Sequence, residues 1–263
     1  MAQLIEDPDD PRIAAYRHVR ERDLVGREGL FVAEGEVVLR VLACSPLFEP
    51  VSVLLAEKRV AGLAEITDRL PDDVPIYSAG QAVMDAIVGF HIHRGILAVG
   101  RRRASPSAAD LLAGLPARAT VLAPCGIGNH DNIGGLFRNA AAFGVDAVLL
   151  DADCCDPLYR KAIRVSVGAS LIVPFAQLGR DEDLCGLLEA AGFEALALSP
   201  RGETRLADLK RPERAAVLLG AEGPGLADAV MARARTVSIP MAAGFDSLNV
   251  AVTAGIVLHH LRG

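Results

Sequence analysis

The stretch that decides the fold is TVLAPCGIGNHDNIGGLFRNAAAFGVDAVLLD, residues 120–151. It begins and ends with uninterrupted apolar runs, TVLAPC and DAVLLD, each about the length of one strand. Between them, LFRNAAAFG is a helical pattern whose Leu136, Phe137, Ala140 and Ala141 form one apolar face. A buried strand, a loop, a helix and a second buried strand predict two parallel strands joined by a crossover helix.

Further apolar runs continue this pattern toward the C-terminus. They are EALALS (194–199), AAVLLG (215–220) and VSIPM (237–241), and helical patterns separate most of them. Strands without polar alternation are typical of a parallel sheet that helices cover on both faces. We therefore expect an α/β fold whose ligands bind beyond the carboxyl ends of the strands.

The residues before this region predict a smaller domain of mixed helices and strands. In FVAEGEVVLRVLAC (31–44), Val37, Val38, Val41 and Leu42 are spaced like one face of a helix,. Short apolar strand candidates follow it. The sequence therefore indicates a separate α/β unit ahead of the parallel sheet.

A change in composition marks the expected boundary between the two domains. RRRASPSAADLLAGLPARA (101–119) combines a basic triplet with Ser, Pro and Ala and contains only one short helical segment,. We expect an N-terminal domain over 1–103, a linker over 104–118 and a C-terminal domain over 119–263.

The composition describes a folded chain and excludes several classes of protein. Hydrophobic residues make up 51% and charged residues 23% of the 263 residues, enough for a substantial core. The N-terminus MAQLIEDPDDPR is acidic and no apolar run is long enough for a bilayer, so we expect no signal peptide and no membrane segment. Five scattered cysteines without a CxxC pair favour the reducing cytoplasm and argue against a metal site.

Three loops that follow strands carry residues suited to chemistry. In the first, GIGNHDNIGGLFRNAAAFG (126–144), Asn132 is a candidate helix N-cap and Arg138 lies on the face away from the sheet,. The glycines between them permit close approach of a ligand to the backbone. The ordinary alternative is a capped helix with a solvated arginine.

The second loop, GAEGPGL (220–226), surrounds Glu222 with three glycines. It is neither a dinucleotide-binding turn nor a P-loop, because the required glycine spacing and the Lys-Ser/Thr pair are absent. One interpretation is a tight turn with a solvent-exposed carboxylate. The other is a backbone-lined pocket for a ligand that carries hydrogen-bond donors or positive charge.

The third loop, IPMAAGFDSLNVAVTAG (239–255), leads into an apolar helix. Ser247 suits the N-cap of that helix, although Val250 three residues later cannot complete a capping box. Asn249 needs a different reason, and it shares a helix face with Thr253. For each polar residue alone, a structural role in the first turn is the ordinary alternative.

Taken together and in this order, NIGGLFRNAAAFG, LLGAEGPGL and IPMAAGFDSLNVAVTAGIVL resemble the three motifs of the SpoU (TrmH-type) RNA ribose 2′-O-methyltransferases. The resemblance covers about the last 145 residues, and YRKAIRVSVGASLIVPF (159–175) is similar to the segment that links the first two motifs. FVAEGEVVLRVL resembles, more weakly, the ribosomal-protein-like RNA-binding domain often fused to this catalytic domain. One departure is Asn129-His130-Asp131, where the family often has Asp-Pro before the motif asparagine.

This resemblance implies a trefoil knot at the C-terminus, S-adenosylmethionine (AdoMet) as methyl donor and a homodimer formed through the C-terminal domain. It also implies methylation of a ribose 2′-hydroxyl in ribosomal or transfer RNA. Periodicity alone predicts an unknotted, doubly wound sheet, because knots are rare. The catalytic positions that match are Asn132, Arg138, Glu222, Ser247 and Asn249. The cofactor-binding candidates are Ser199, Gly220, Ile239, Met241 and Leu248.

The implied chemistry is in-line attack by an alcohol that must lose its proton. Arg138 is the candidate that orients the hydroxyl and its neighbouring phosphate, and it is also a hypothetical base. Asn132, Ser247 and Asn249 would position Arg138 and the nucleotide, while Glu222 would orient donors across the pocket. Most of the rate enhancement would then come from alignment.

Contacts with RNA would come from local basic groups, because a net charge of −6 does not suit a non-specific binder,. The RNA-binding candidates are Arg94, Arg160, Lys161 and Arg164. A second set is interleaved with acids, and for it we expect a solvated surface: Arg12, Arg17, Arg20, Arg22 and Arg27. Two other functions stay open, a catalytically silent RNA-binding protein and a nucleotide-dependent oxidoreductase; binding of AdoMet or of a nicotinamide cofactor distinguishes them.

Overall fold

The structure, a computed structural model, describes residues 2–17, 25, 29–89, 93–103, 106–243, 245 and 247–262. The chain forms two compact units, one made of residues 1–104 with 158–172, the other of residues 105–157 with 173–263. Each unit contains its own sheet. None of the helices in these described ranges combines the length and the hydrophobicity that a membrane crossing requires.

The strands and helices have the following bounds. The described strands are β1 (Gln3–Ile5), β2 (Leu30–Glu34), β3 (Phe48–Ala56), β4 (Ile76–Ala79), β5 (Ile96–Arg102), β6 (Ala119–Pro124), β7 (Ala147–Leu150), β8 (Phe175–Gln177), β9 (Glu194–Leu198), β10 (Thr204–Arg205), β11 (Arg214–Leu219) and β12 (Arg235–Ser238). The described α-helices are α1 (Glu36–Cys44), α2 (Glu57–Val60), α3 (Ala64–Thr67), α4 (Gln81–Val88), α5 (Ala108–Ala113), α6 (His130–Phe143), α7 (Arg160–Val165), α8 (Leu184–Ala190), α9 (Asp228–Met231) and α10 (Val250–Arg262). Short 3-10 turns span Pro11–Tyr16, Ala61–Leu63, Ala169–Leu171 and Leu206–Asp208.

The first unit is built on a mixed five-stranded sheet in the order β1-β4-β3-β5-β2. β1, β4 and β3 run parallel, whereas β5 is antiparallel to β3 and to β2. In its core the rings of Phe31 and Phe48 meet edge to face at 5.3 Å. Gly100 pairs with Phe31 across the ladder, and a Cβ there would lie 2.4 Å from the Phe31 ring, so only glycine fits,.

The predicted helix over 31–44 is a strand followed by a helix. Gly35, at φ +98°, separates β2 from α1, a backbone conformation that other residues rarely adopt,. The face that α1 buries is formed by Val38, Leu39 and Leu42, whereas Val37 is 55% exposed. The predicted face is therefore wrong at Val37, because the buried side of α1 is formed by residues one position further along.

The second unit contains an all-parallel sheet in the order β10-β12-β9-β11-β6-β7-β8. On one face of this sheet, alternate side chains of the strands pack into a core with Leu112 of α5 and Leu188 of α8. The other set, including Leu122 and Val217, is equally buried, while α10 packs against α6 and β11. The sheet is therefore buried on both faces, and the predicted α/β fold with a parallel sheet is confirmed.

The last predicted strand of this sheet lies earlier than expected. VSIPM suggested a strand over 237–241, but β12 ends at Ser238. Pro240 has no N–H for a ladder bond and restricts Ile239 before it. The chain therefore leaves the sheet before the proline.

Helix α6 begins at a different asparagine from the one expected. Asn129 is its N-cap, since its side chain accepts a hydrogen bond of 2.8 Å from the backbone N–H of Asp131,. Asn132 lies inside the first turn and is buried. The helix ends at Gly144, whose φ of +68° gives the left-handed C-terminal turn,. Of the predicted apolar face only Ala141 is exposed.

The expected linker over 104–118 is not an extended connection. It contains α5, whose N-cap Ser107 accepts a hydrogen bond of 3.1 Å from the N–H of Asp110. Ala108 and Leu112 are buried in the core of the second unit. The second unit therefore includes residues that the composition assigned to a linker, because small apolar side chains spaced four apart are sufficient for packing.

The segment 158–172 belongs to the first unit, although its sequence position suggested the C-terminal domain. Arg160 of α7 forms an ion pair of 2.9 Å with the buried Glu34 at the end of β2. The hydroxyl of Ser45 donates a hydrogen bond of 2.9 Å to the carbonyl of Leu171. The two residues of each contact are more than a hundred positions apart in sequence, so no local sequence pattern predicts the contact.

Some of the N-terminal arginines pair with neighbouring acids, as expected. Arg12 pairs with Asp10, which holds the pKa of that carboxyl at about 2, and Arg17 pairs with Asp9. Arg20, Arg22 and Arg27 lie outside the described residues.

Candidate functional site

The three polar loops meet in the second unit because of the strand order. β6 and β11 are neighbours in the parallel sheet, so the loops that follow them leave the same edge side by side. The loop after β6 leads into α6, and the loop after β11 contains Glu222. α10 packs along α6 and brings Asn249, the residue before its first turn, to the same place.

A hydrogen-bond network joins one residue from each loop. Asn132 Nδ2 donates to Glu222 Oε1 at 2.9 Å, and Asn249 Nδ2 donates to Asn132 Oδ1 at 2.8 Å. Asn249 Nδ2 also lies 3.2 Å from Glu222 Oε1. Both amide donors therefore converge on one carboxylate oxygen. Glu222 is exposed, and among the described residues none forms a hydrogen bond with its Oε2.

Asn249 is also the N-cap of α10. Its Oδ1 accepts hydrogen bonds from the backbone N–H groups of Ala251 at 2.9 Å and Val252 at 3.3 Å,. The expectation that Ser247 caps this helix is therefore wrong, since Ser247 lies outside the first turn and is exposed. Asn249 uses its oxygen for the cap and its nitrogen for the network, whereas the shorter side chain of a serine would not reach both.

The glycines of the second loop are required by the fold. A Cβ on Gly220 would lie 2.2 Å from the carbonyl carbon of Gly225, because the loop folds back over the end of β11. Gly223 and Gly225 have φ angles of +92° and +71°. The loop is thus a tight turn with an exposed Glu222. This geometry is compatible both with a simple turn and with a backbone-lined pocket for a ligand.

Gly135, which follows the first loop, permits the close contact between α6 and α10. A Cβ on Gly135 would lie 2.7 Å from the Cβ of Ala251. One turn further, Asn139 Nδ2 donates to the carbonyl of Ala251 at 2.5 Å. Sequence analysis missed Asn139, although its spacing of four from Gly135 and seven from Asn132 puts all three on one helix face.

Arg138 lies on the exposed side of α6 and is not part of the network. Within the described part of the chain, no hydrogen bond or ion pair joins its guanidinium to another residue. The structure thus brings together Asn132, Glu222 and Asn249 but leaves Arg138 and Ser247 at the surface.

The cofactor-binding candidates gather at the carboxyl edge of three adjacent strands. In the order β12-β9-β11, Ser199 follows β9, Gly220 follows β11, and Ile239 and Met241 follow β12. The N–H of Ser199 donates to the carbonyl of Val237 in β12 at 3.0 Å, which holds two of these strand ends together. Leu248, beside the network residue Asn249, is 40% exposed.

The cysteines near these strand ends are not nucleophiles. Cys125 follows β6, and burial raises the pKa of its thiol to about 12. Burial also raises the pKa of Cys154, whose Sγ accepts a hydrogen bond from the Ile127 N–H. At neutral pH both groups are thiols rather than reactive thiolates. Over the ranges that the structure describes, no three or more His, Cys, Asp or Glu side chains are placed to hold a metal ion.

The RNA-binding candidates lie in the first unit and differ in their surroundings. Arg160 is engaged by Glu34. Arg94, Lys161 and Arg164 are exposed. The structure therefore assigns a structural contact to Arg160 and leaves the other three on the surface.

Comparison with known proteins agrees with this architecture. The model of the SpoU rRNA Methylase family matches residues 119–259. A relative from Mycobacterium bovis, named uncharacterized tRNA/rRNA methyltransferase, is 40% identical over an alignment of 271 positions that covers 98% of this chain and 90% of the relative.

Solved structures share the fold over almost the whole length. An AdoMet-bound rRNA methyltransferase from Sinorhizobium meliloti superposes with a TM-score of 0.84 at 20% identity, covering 99% of this chain and 97% of that one. An RNA 2′-O ribose methyltransferase superposes with a TM-score of 0.79 at 24% identity, covering 98% of both chains. The resemblance drawn from the three motifs is confirmed: the chain belongs to the SpoU rRNA methylase family, a class of RNA methyltransferases.

Proposed function

We propose that the chain transfers a methyl group from AdoMet to a ribose 2′-hydroxyl of ribosomal or transfer RNA. The observation that carries this proposal is the network of Asn132, Glu222 and Asn249, which joins the three family motifs at one point. The names of the relatives, which include both tRNA and rRNA, and of one structural neighbour, a 2′-O ribose methyltransferase, support it.

The residues at the carboxyl edge of the sheet suit the methyl donor. Ser199, Gly220, Ile239, Met241 and Leu248 would hold AdoMet, which supplies an electrophilic methyl group when it is bound. Two observations fit this ligand. The strand ends offer backbone groups and exposed apolar surface to its uncharged part, and Glu222 offers a free carboxylate oxygen to its positive charge.

The chain's own residues would then act by positioning. Asn132 and Asn249 hold Glu222 in one orientation, since both donate to the same oxygen. Arg138, exposed on α6, would bind the phosphate beside the target ribose and orient the 2′-hydroxyl,. A protonated guanidinium has no acceptor atom, so Arg138 would take the hydroxyl proton only in its neutral form, and otherwise the proton would pass to solvent. Ser247 would contact the nucleotide from the loop before α10.

A homodimer formed through the second unit belongs to this proposal. Val252 and Ile256, four residues apart on α10, are 51% and 39% exposed, and Phe245 is 70% exposed. Apolar side chains exposed together on one helix are typical of an interface. Sedimentation of the full chain tests it; a monomer at micromolar concentration would contradict it.

We also propose a trefoil knot in the second unit and a role for the first unit as a separate substrate-binding domain. The strand order supports the knot, because β11 lies between the earlier strands β6 and β9, and β12 lies between β9 and β10. The separate sheet of residues 1–104 with 158–172 supports the proposal that the first unit is a substrate-binding domain. Five unpaired cysteines suit a cytoplasmic enzyme,.

The decisive experiment has two parts. Calorimetry with AdoMet and with a nicotinamide cofactor tests the class of enzyme, and we expect AdoMet alone to bind. Mapping of 2′-O-methyl groups in total RNA, with and without the protein, then identifies the RNA and the nucleotide. AdoMet binding without any new methyl group would favour a silent RNA-binding protein, and nicotinamide binding would favour an oxidoreductase.

A further inference from the structure

The first unit contains a cleft of its own, lined by residues between 34 and 96 and by two residues of the segment 158–172. It has a volume of about 540 Å³, and its lining includes Gly35, Val37, Arg59, Arg94, Arg164 and Val167. We call it the arginine cleft. Its volume is in the range of pockets that hold a small ligand.

The charges of the arginine cleft leave two cations without a counter-charge. Glu34 in its wall is paired with Arg160 at 2.9 Å. Glu36, also in the wall, accepts from Arg59 at 2.9 Å and from Arg40 at 3.1 Å. Arg94 and Arg164 are exposed, and in the described ranges neither forms an ion pair.

The same cleft receives the N-terminus of α1. Its N-cap is Gly35, which has no side chain to cap the helix. The first helical hydrogen bond runs from the Leu39 N–H to the Gly35 carbonyl, so the N–H groups of Glu36, Val37 and Val38 have no acceptor within the helix,. A Cβ on Gly35 would lie 3.2 Å from Nη1 of Arg94, so this guanidinium lies over the start of the helix. Free N–H groups beside a guanidinium form an anion site.

Apolar surface completes the cleft. Val37 is 55% exposed and Val167 is 38% exposed, and both line it. Val167 also has a φ of +55°, an uncommon conformation for a β-branched residue,. A ligand that combines an anionic group with a flat or weakly polar body would use both parts of the cleft.

We propose that the arginine cleft binds one nucleotide of the RNA substrate. Its phosphate would lie between Arg94, Arg164 and the N-terminus of α1, and its sugar and base would lie against Val37 and Val167. This inference rests on the proposed function, since it takes RNA as the substrate. It assigns substrate contact to two of the sequence candidates and withdraws it from Arg160, whose guanidinium is held by Glu34.

The test measures binding of the full chain to a fluorescein-labelled single-stranded RNA of ten nucleotides with mixed sequence, over a range of salt concentrations. The variants are the double change Arg94→Gln with Arg164→Gln, and separately Val37→Glu. The control is Arg69→Gln, which makes the same type of substitution and removes one positive charge from an arginine that is 58% exposed in the same unit and outside the cleft. Val37→Glu adds a carboxylate in the first turn of α1, where a negative charge stabilises the helix. Weaker RNA binding by this variant would therefore not be explained by unfolding of α1.

We expect the double variant to bind the RNA at least tenfold more weakly and to lose about 0.7 units of log–log salt slope, the effect of one phosphate contact on a single strand. Val37→Glu should also weaken binding, while Arg69→Gln and AdoMet affinity should remain unchanged. If both cleft variants bind RNA like Arg69→Gln, the cleft proposal is wrong and the proposed function stands. A parent chain that binds no RNA would overturn both. Tight binding of free AMP that RNA cannot displace would show a mononucleotide site and would also overturn the proposal.

Discussion

The side chain of Asn249 joins Asn132 through a hydrogen bond of 2.8 Å, while its oxygen caps the last helix. One amide therefore links helix stability to the geometry of the candidate site. Replacing it with different side chains separates these two tasks.

Asn249→Ser should keep the cap and lose the network, because the hydroxyl can accept from the first turn but does not reach Asn132 as well. We expect a loss of stability of about 0.5–1.5 kcal/mol from the hydrogen bond to the buried Asn132, together with a strong loss of methyl transfer,. Asn249→Ala should lose both, with about 1 kcal/mol from the cap alone. Urea unfolding and a tritium-transfer assay measure the two effects; equal activity in Asn249→Ser and the parent would remove the network from the site.

Glu222→Gln keeps the shape of the side chain but removes its charge. If the carboxylate faces the positive charge of AdoMet, the Glu222→Gln variant should bind AdoMet about tenfold or more weakly. This is the effect of losing a charged hydrogen bond of about 1.5–3 kcal/mol. The control is Glu189→Gln on α8, whose side chain is 83% exposed. Calorimetry with AdoMet gives the result, and unchanged affinity in Glu222→Gln would contradict the assigned role.

Arg138→Ala should leave folding unchanged within about 0.5 kcal/mol, since the side chain is exposed,. AdoMet should still bind normally, whereas methyl transfer should fall by about a hundredfold or more. Arg138→Lys should recover little, because a lysine cannot hold a phosphate and a hydroxyl with one planar group. Near-normal turnover in Arg138→Ala would show that the hydroxyl is activated elsewhere.

Gly220→Ala should destabilise the second unit severely, because the new methyl group would overlap the backbone of Gly225 and the turn must move,. We expect a loss of about 3 kcal/mol or more. Gly128→Ala, in the first loop, has no atom within 4 Å of the added Cβ and should change stability by less than about 1 kcal/mol,. Thermal unfolding of both variants measures the difference, and equal melting temperatures would contradict this packing.

The buried thiols predict that the stability of the folded state falls at alkaline pH. Burial raises the pKa of Cys125 to about 12 and that of Cys155 to about 11, above the ordinary value near 9. The folded state therefore favours the protonated thiols, and their contribution to stability is present below pH 9 and lost progressively toward pH 12. Urea midpoints should fall as the pH rises from 8.5 to 10.5.

The parallel sheet and the three motif loops could be predicted from the amino-acid sequence. Uninterrupted apolar runs such as TVLAPC and AAVLLG need burial on both faces, and this requirement can be read from neighbouring residues alone. The same reasoning selected Glu222 and Asn249 as residues in need of an explanation. It could not choose between Asn129 and Asn132, or between Ser247 and Asn249, as helix caps, because each pair lies within one turn and offers similar side chains.

Which of these residues meet depends on the packing of distant elements. Asn132 is 90 positions from Glu222 and 117 from Asn249. Their contact depends on β11 lying beside β6 and on α10 packing against α6 at Gly135. The pairing of Arg160 with Glu34 is of the same kind. Local propensity acts over about four residues, whereas strand order and helix packing bring together distant parts of the chain through burial of surface that no short segment can cover by itself.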